Sequence, residues 1–187
     1  MMLKNIENSY GLVAKLFHWL VGLMIIIMLI VGFTMVNMED SAQKWQIYPL
    51  HKATGMAVLF LVSLRLLWRL INVSVLQLND LPQWQKKAAN LNINLLYIFM
   101  FIMPLSGFLM STLSGRDIDI YGLFKIPFFM QDKALANIFN NIHDYSAFIL
   151  VALIILHIMV SIYHHFIRKD NVFRRMWFGS KDSRAAK

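Results

Sequence analysis

Four of the six histidines in this 187-residue chain, His18, His51, His143 and His157, lie inside long apolar stretches. An imidazole in hydrocarbon carries a high desolvation cost, so each is a candidate for function. Neutral imidazole binds iron through one ring nitrogen while the other donates to a carbonyl or carboxylate that orients the ring. Two imidazoles on one iron fill both axial positions, which suits single-electron transfer better than oxygen binding or chemistry at the metal. Zinc fits less well, because two histidines at one depth with no evident third ligand do not make a zinc site. The chain has no cysteine, which excludes disulfides, iron–sulfur ligation and the thioether attachment that needs C-x-x-C-H. Any haem is therefore held non-covalently.

Spacing divides the four into pairs. His143 and His157 are fourteen residues apart, which on an α-helix is about 21 Å of rise and about 40° short of four turns. They share a face at opposite depths, so one porphyrin cannot bridge them and each needs a partner on another helix. His51 opens the second apolar stretch at the depth of His143. His18 lies several residues inside the first stretch, at the depth of His157. The pairs are thus His51 with His143 and His18 with His157, two bis-histidine haem b sites. One turn after each histidine, on the same face, stands a small residue: Gly22, Gly55, Ala147 and Ser161. Such positions leave room for a flat macrocycle against the helix, as small residues do for close helix approach. His164 and His165 have Arg168 and Lys169 at that offset and read as interface residues. Arg65, fourteen residues after His51, falls on nearly the same face at the depth of the inner pair. Haem propionates need cations, so Arg65 is expected at the inner haem edge, while Arg69 snorkels to the headgroups.

The elements that must position these residues are membrane helices. Hydrophobic residues make up 58% of the chain and charged residues 15%, and the apolar residues fall in blocks separated by charge. Four blocks, at about 11–35, 50–71, 91–112 and 143–166, reach the roughly 20 residues that span a hydrocarbon core. The expected fold is an all-α integral membrane protein, a four-helix bundle forming one membrane domain across 1–187, with a basic tail over 167–187. The first block exceeds signal-peptide length and lacks a clear cleavage site, so it is expected to be retained. The net charge of +8 does not indicate nucleic acid, because the charge is sorted by side. Lys4, Lys15, Arg69, Lys86, Lys87 and the tail cations Arg168, Lys169, Arg174, Arg175, Lys181, Arg184 and Lys187 fall on one side; Glu39, Asp40, Asp117, Asp119 and Asp132 fall on the other. Both termini are expected in the cytoplasm, with the tail along the inner headgroups. The third connection, broken by Gly115, Gly122 and Pro127, is the longest outward segment, with a short interfacial helix expected over 132–141. Pro104 predicts a kink in the third span. That span has no histidine and reads as the wall of the bundle.

The runs F-H-W-L-V at Phe17–Val21, H-K-A-T-G at His51–Gly55, L-R-L-L-W-R-L at Leu64–Leu70, L-Y-I-F-M-F-I-M-P-L-S-G-F at Leu96–Phe108 and L-H-I-M-V-S-I-Y-H-H-F-I-R-K-D-N at Leu156–Asn171 resemble the bacterial cytochrome b561 family over nearly the whole chain. The resemblance implies a four-helix bundle with two b-type haems on His18, His51, His143 and His157, in the bacterial inner membrane. It further implies, for the superoxide-oxidising members, electron transfer from periplasmic superoxide to ubiquinone. Many members begin the third span with two histidines where this chain has Asn90 and Ile93; these are not expected haem ligands. Superoxide is an anion that a positive outer surface would steer. Lys52, next to His51, is the residue expected to capture it, with Lys44, Arg116, Lys125 and Lys133 contributing. His164 and His165, with Tyr163, are the candidates to supply hydrogen bonds and protons to bound quinone. Two competing readings share these residues: a haem-bearing membrane subunit relaying electrons between the quinone pool and a partner redox protein, and a haem-free protein whose histidines only pack helices.

Overall fold

The computed structural model describes residues 2–76 and 81–178. Lys181, Arg184 and Lys187 of the expected tail lie outside the described residues. Four helices are long and apolar enough to cross a membrane: α1 (Leu12–Asn37), α2 (Ala42–Ile71), α3 (Gln83–Leu113) and α4 (Lys133–Tyr163), the last running on through a π-helical turn, His164–Arg168. The protein is a multi-pass membrane protein of mostly helical architecture.

Three helices begin earlier than the apolar blocks suggest, because hydropathy marks the hydrocarbon slab and helix signals mark the helix. Ser41 caps α2, its hydroxyl accepting from the Lys44 N–H at 3.3 Å, and Ala42, Gln43 and Lys44 favour helix. So α2 starts at Ala42 and carries Pro49 inside it. Pro82 marks the start of α3, eight residues before the predicted block. Asp132 accepts from the N–H groups of Ala134 and Leu135 at 2.9 and 3.0 Å. No glycine or proline interrupts the chain from there to His143, so the interfacial helix expected over 132–141 is instead the first turns of α4.

Consecutive helices pack side by side, α1 on α2, α2 on α3 and α3 on α4. The backbones of α1 and α4 stay further apart. The core is a cluster of Val21, Ile25 and Leu29 from α1, Val58 and Val62 from α2, Met100 from α3 and Leu150 from α4. Leu23, Ile27, Ile30, Phe60 and Phe148 are exposed, forming the apolar exterior that a bilayer covers.

The third connection holds an antiparallel hairpin of β1 (Ile118–Ile120) and β2 (Phe124–Ile126), in the register Ile118↔Ile126, Asp119↔Lys125, Ile120↔Phe124. Its turn places Tyr121 at φ 53° and Gly122 at φ 74°, the two left-handed residues of a type I′ turn. The Tyr121 hydroxyl meets Thr54 Oγ1 at 3.0 Å and Ile118 is 1% exposed, so the hairpin is pinned onto α2.

The opposite end gathers both ends of the described chain. Leu76 N–H donates to Glu7 O at 2.8 Å, Asn5 Nδ2 to Val73 O at 3.0 Å and Arg175 to Leu76 O at 2.6 Å. In the tail, α5 (Val172–Met176) folds back over α1. Lys15 Nζ donates to Trp177 O at 3.1 Å and Trp19 Nε1 to Met176 O at 3.0 Å. These donors satisfy carbonyls that would otherwise need water, and Trp19 packs edge-on against Trp177.

Candidate functional site

At the hairpin end, His51 from α2 and His143 from α4 line one cavity together with Lys52, Gly55, Gly107 and Ile118. The segment of α3 around Pro104 orients His143: its Nδ1 donates to the carbonyl of Met103 at 2.8 Å, leaving Nε2 as the acceptor. A Cβ on Gly107 would stand 3.0 Å from His143 Cε1 and 3.1 Å from Nδ1, so only glycine leaves the imidazole this seat. Gly32 of α1 borders His51, whose Cε1 would lie at an ordinary contact distance of 3.5 Å from a Cβ there. His51 Nδ1 is buried with no hydrogen-bond partner.

At the terminal end, the rings of His18 on α1 and His157 on α4 lie 6.0 Å apart centre to centre. Two imidazoles sharing one metal at bonds of about 2 Å would place ring centres roughly 6 Å apart. No Cβ contact within 4 Å awaits a side chain at Gly22, so the space one turn above His18 is open. Arg65 contacts His18 itself, one guanidinium nitrogen 2.8 Å from Nδ1. Arginine only donates, so His18 accepts at Nδ1 in this arrangement. For Nε2 to be offered to a metal, the proton moves to Nδ1 and Arg65 turns to another acceptor. Arg65 and Arg69 both stand over the Tyr97 ring, at 5.5 and 5.1 Å.

The residues at both ends fit a bis-imidazole group: paired histidines across helices, an orphaned buried ring nitrogen beside the hairpin-end cavity, a glycine seat at His143 and open space beside Gly22. Among the described residues no three histidines or carboxylates gather to hold a metal, so each site offers two nitrogen donors and no more. The family model of prokaryotic cytochrome b561 matches residues 9–179. The chain belongs to the cytochrome b561 family. It is 30% identical over 178 residues to cytochrome b561 homolog 2 of Escherichia coli (strain K12), covering 94% of this chain and 95% of that one. It is also 36% identical over 95 residues to cytochrome b561 homolog 1 of the same organism, covering 51% and 54%. As a member of this family it is a membrane haem b electron-transfer protein.

The remaining candidates of this cytochrome b561 chain are dispersed. Lys52 borders the hairpin-end cavity, with Arg116 close enough to interact electrostatically, whereas Lys44 is turned back onto the Met38 carbonyl at 2.9 Å. Gly55 lines the cavity, its added Cβ 3.9 Å from Met28 Cε. Ala147 packs on the core cluster and Ser161 bonds the His157 carbonyl at 2.8 Å. His164 and His165 part company: His164 is 7% exposed and bonds Asp170 at 2.6 Å, while the His165 ring lies against Phe166 and Phe173. Burial works upward on the Asp170 carboxyl, but the hydrogen bonds from His164 and the Val172 N–H and the charge of Arg168 outweigh it, holding it below the ordinary aspartate value. Tyr10, outside the first span, is pushed up by burial against the opposing pull of Arg69 and Arg175.

Sequence reasoning missed Met103, Gly107 and Gly32. A readable signal existed for two of them, since P-L-S-G in an apolar helix combines a kink with a small residue. Gly32 is a lone glycine in an apolar run, and nothing in its own neighbourhood points to His51.

Proposed function

We propose that His51 with His143, and His18 with His157, hold two non-covalent haem b groups, and that the chain carries electrons from superoxide at the hairpin end to ubiquinone at the terminal end. The observation that carries this reading is the placement of two cross-helix histidine pairs at opposite ends of one apolar core. Haem bound at such residues supplies one-electron transfer. His143 is held to one tautomer by the Met103 carbonyl, which keeps Nε2 free as a ligand. Val21, Ile25, Leu29, Val62 and Leu150 exclude water between the sites. Lys52, with Arg116 behind it, presents positive charge where an anionic donor enters beside His51. Arg65 turns from His18 to the anionic edge of the terminal-end group, a charge-assisted contact.

The reaction balances as two superoxide anions releasing two electrons and two molecules of oxygen, and one quinone taking up those electrons and two protons to become quinol. In this reading the terminal end faces the cytoplasm of a bacterial inner membrane, because Lys4, Lys86, Lys87, Arg168, Lys169, Arg174 and Arg175 belong to the segments gathered there. The whole chain acts as one membrane domain.

A haem-to-protein ratio with optical redox titration tests the first half, with two low-spin centres per chain expected. Rapid mixing of superoxide with oxidised, quinone-loaded protein tests the second. Haem bands that stay oxidised in that experiment would sink the superoxide assignment and leave the di-haem one standing.

A further inference from the structure

The end of α4 carries a side-chain arrangement that helix termination does not require. His164 lies seven residues after His157, about 20° short of two turns and about 10 Å further along, so it continues the His157 face toward the surface. His165 is rotated about 80° from that face and is taken up by Phe166 and Phe173. At His164 the helix widens into a π-helical turn, a rare form frequent at functional sites. Lys169 then turns into the left-handed region at φ 56°, and the N–H groups of Lys169 and Asp170 both donate to the His164 carbonyl. This doubling back delivers the Asp170 carboxylate to the histidine's own ring, Nδ1 to Oδ2 at 2.6 Å. Arg168 Nε reaches the same oxygen at 3.2 Å and the Val172 N–H holds the other at 3.0 Å. The carboxylate is 12% exposed and fixed from three sides.

We infer that Asp170 is a positioning residue for proton delivery: it locks the proton of His164 on Nδ1, points Nε2 toward the His157 side of the terminal end, and stabilises the imidazolium that hands protons to quinone. The inference rests on the quinone-reduction reading above and narrows it, assigning the proton path to His164 and not to His165. Each quinone needs two protons for its two electrons. His164 gives its Nε2 proton to a quinone oxygen and recovers one from the adjacent aqueous face, once per electron, so charge and protons balance without another reactant. Neutral imidazole left after each transfer keeps its Nδ1–H on Asp170, and so keeps its orientation. The charged and titratable groups around His164 are Asp170 and Arg168 in the turn, Tyr163 beside it on α4 with ring centres 5.8 Å apart, and Arg174 and Arg175 on α5, which packs against the turn.

The test uses dithionite-reduced holoprotein in nanodiscs, mixed with a short-chain ubiquinone, with haem reoxidation followed across the neutral pH range. Wild-type protein is expected to reoxidise, more slowly on the alkaline limb of its pH profile. Asp170→Asn is expected to slow reoxidation about tenfold, as loss of an outer-shell partner does. It should also move the pH limb toward acid, because the imidazolium loses its neighbouring carboxylate. NMR of protein carrying ¹⁵N-histidine should show the same displacement in the oxidised state, independent of turnover. Asp170→Glu keeps the charge and should keep the limb. His164→Gln should abolish the limb, and adding Asp170→Asn to it should cost nothing more. A wild-type rate and limb in Asp170→Asn, additive effects in the double variant, or loss of the limb in both Asp170 variants would each overturn the inference. Failure of the wild type to be reoxidised would instead bring down the quinone reading and the inference with it.

Discussion

Replacing Gly107 by alanine asks whether the seat of His143 matters to the group it holds. The new methyl would stand 3.0 Å from Cε1 and 3.1 Å from Nδ1 of the ring, whereas carbon atoms rest at about 3.5–4.0 Å. The ring, or α3 itself, must give by roughly 0.5 Å, at an overpacking cost of about 1–3 kcal/mol. Retreat of the ring along that direction stretches the 2.8 Å bond to the Met103 carbonyl towards the limit of a useful hydrogen bond, about 3.2 Å. His143 then loses its fixed tautomer as well as its position. Disturbing such an outer-shell contact typically costs about 10–100-fold in affinity or activity. On the di-haem reading proposed above, purified Gly107→Ala should therefore contain close to one haem per chain in place of two, or two haems with one midpoint displaced and the other unchanged. Pyridine haemochrome analysis and optical redox titration read these outcomes. A variant with wild-type haem content and both midpoints unmoved would refute the argument, since the methyl group cannot be accommodated without moving His143 or its carbonyl.

Gly22→Ala is a complementary test at the other end: the helix alone should gain about 0.5–1 kcal/mol, as no atom lies within 4 Å of the added methyl. If a macrocycle fills that space, haem content should fall despite the better helix; unchanged content in the purified variant argues against a group lying there. Arg65→Gln removes a cation beside His18. A nearby positive charge disfavours the oxidised centre, so the midpoint of the terminal-end haem should drop by about 60 mV, the tenfold unit for a one-electron couple, as read by redox titration. Asp170 sets an acid limit on the C-terminal turn. Its carboxyl lies below its ordinary value when folded, so its stabilisation is complete above that ordinary value and is lost as pH falls through the folded one. Thermal unfolding monitored by Trp fluorescence should show Asp170→Asn less stable than wild type at neutral pH, with the difference closing under strong acid; a constant difference would contradict the linkage.

The membrane helices were legible because a hydrocarbon slab imposes a length and a composition that no other element satisfies. The common face of His143 and His157 followed from helix geometry alone, since both sit on one uninterrupted helix. Helix ends were not legible in the same way. Residues 42–49 and 83–90 are helical outside the slab, where Ser41 and Pro82 decide and hydropathy is silent. The hairpin escaped because its strands are three residues long and owe their order to Tyr121 bonding Thr54, a contact across the fold. The seat of His143 escaped for a related reason. Pro104 announced a kink, but the beneficiary of that kink stands on the next helix, and the adjacency of α3 and α4 at that level is a tertiary fact.

The fold-back of α5 onto α1 has a consequence for manufacture. Residues of α1 are completed by residues made long after them: Lys15 and Trp19 donate to the carbonyls of Trp177 and Met176. His18 likewise waits 139 residues for His157, whereas His51 waits 92 for His143. At synthesis rates of about 5–20 residues per second, that is several seconds in which α1 is inserted without its partner. The His18–His157 pair is therefore brought together later than the His51–His143 pair.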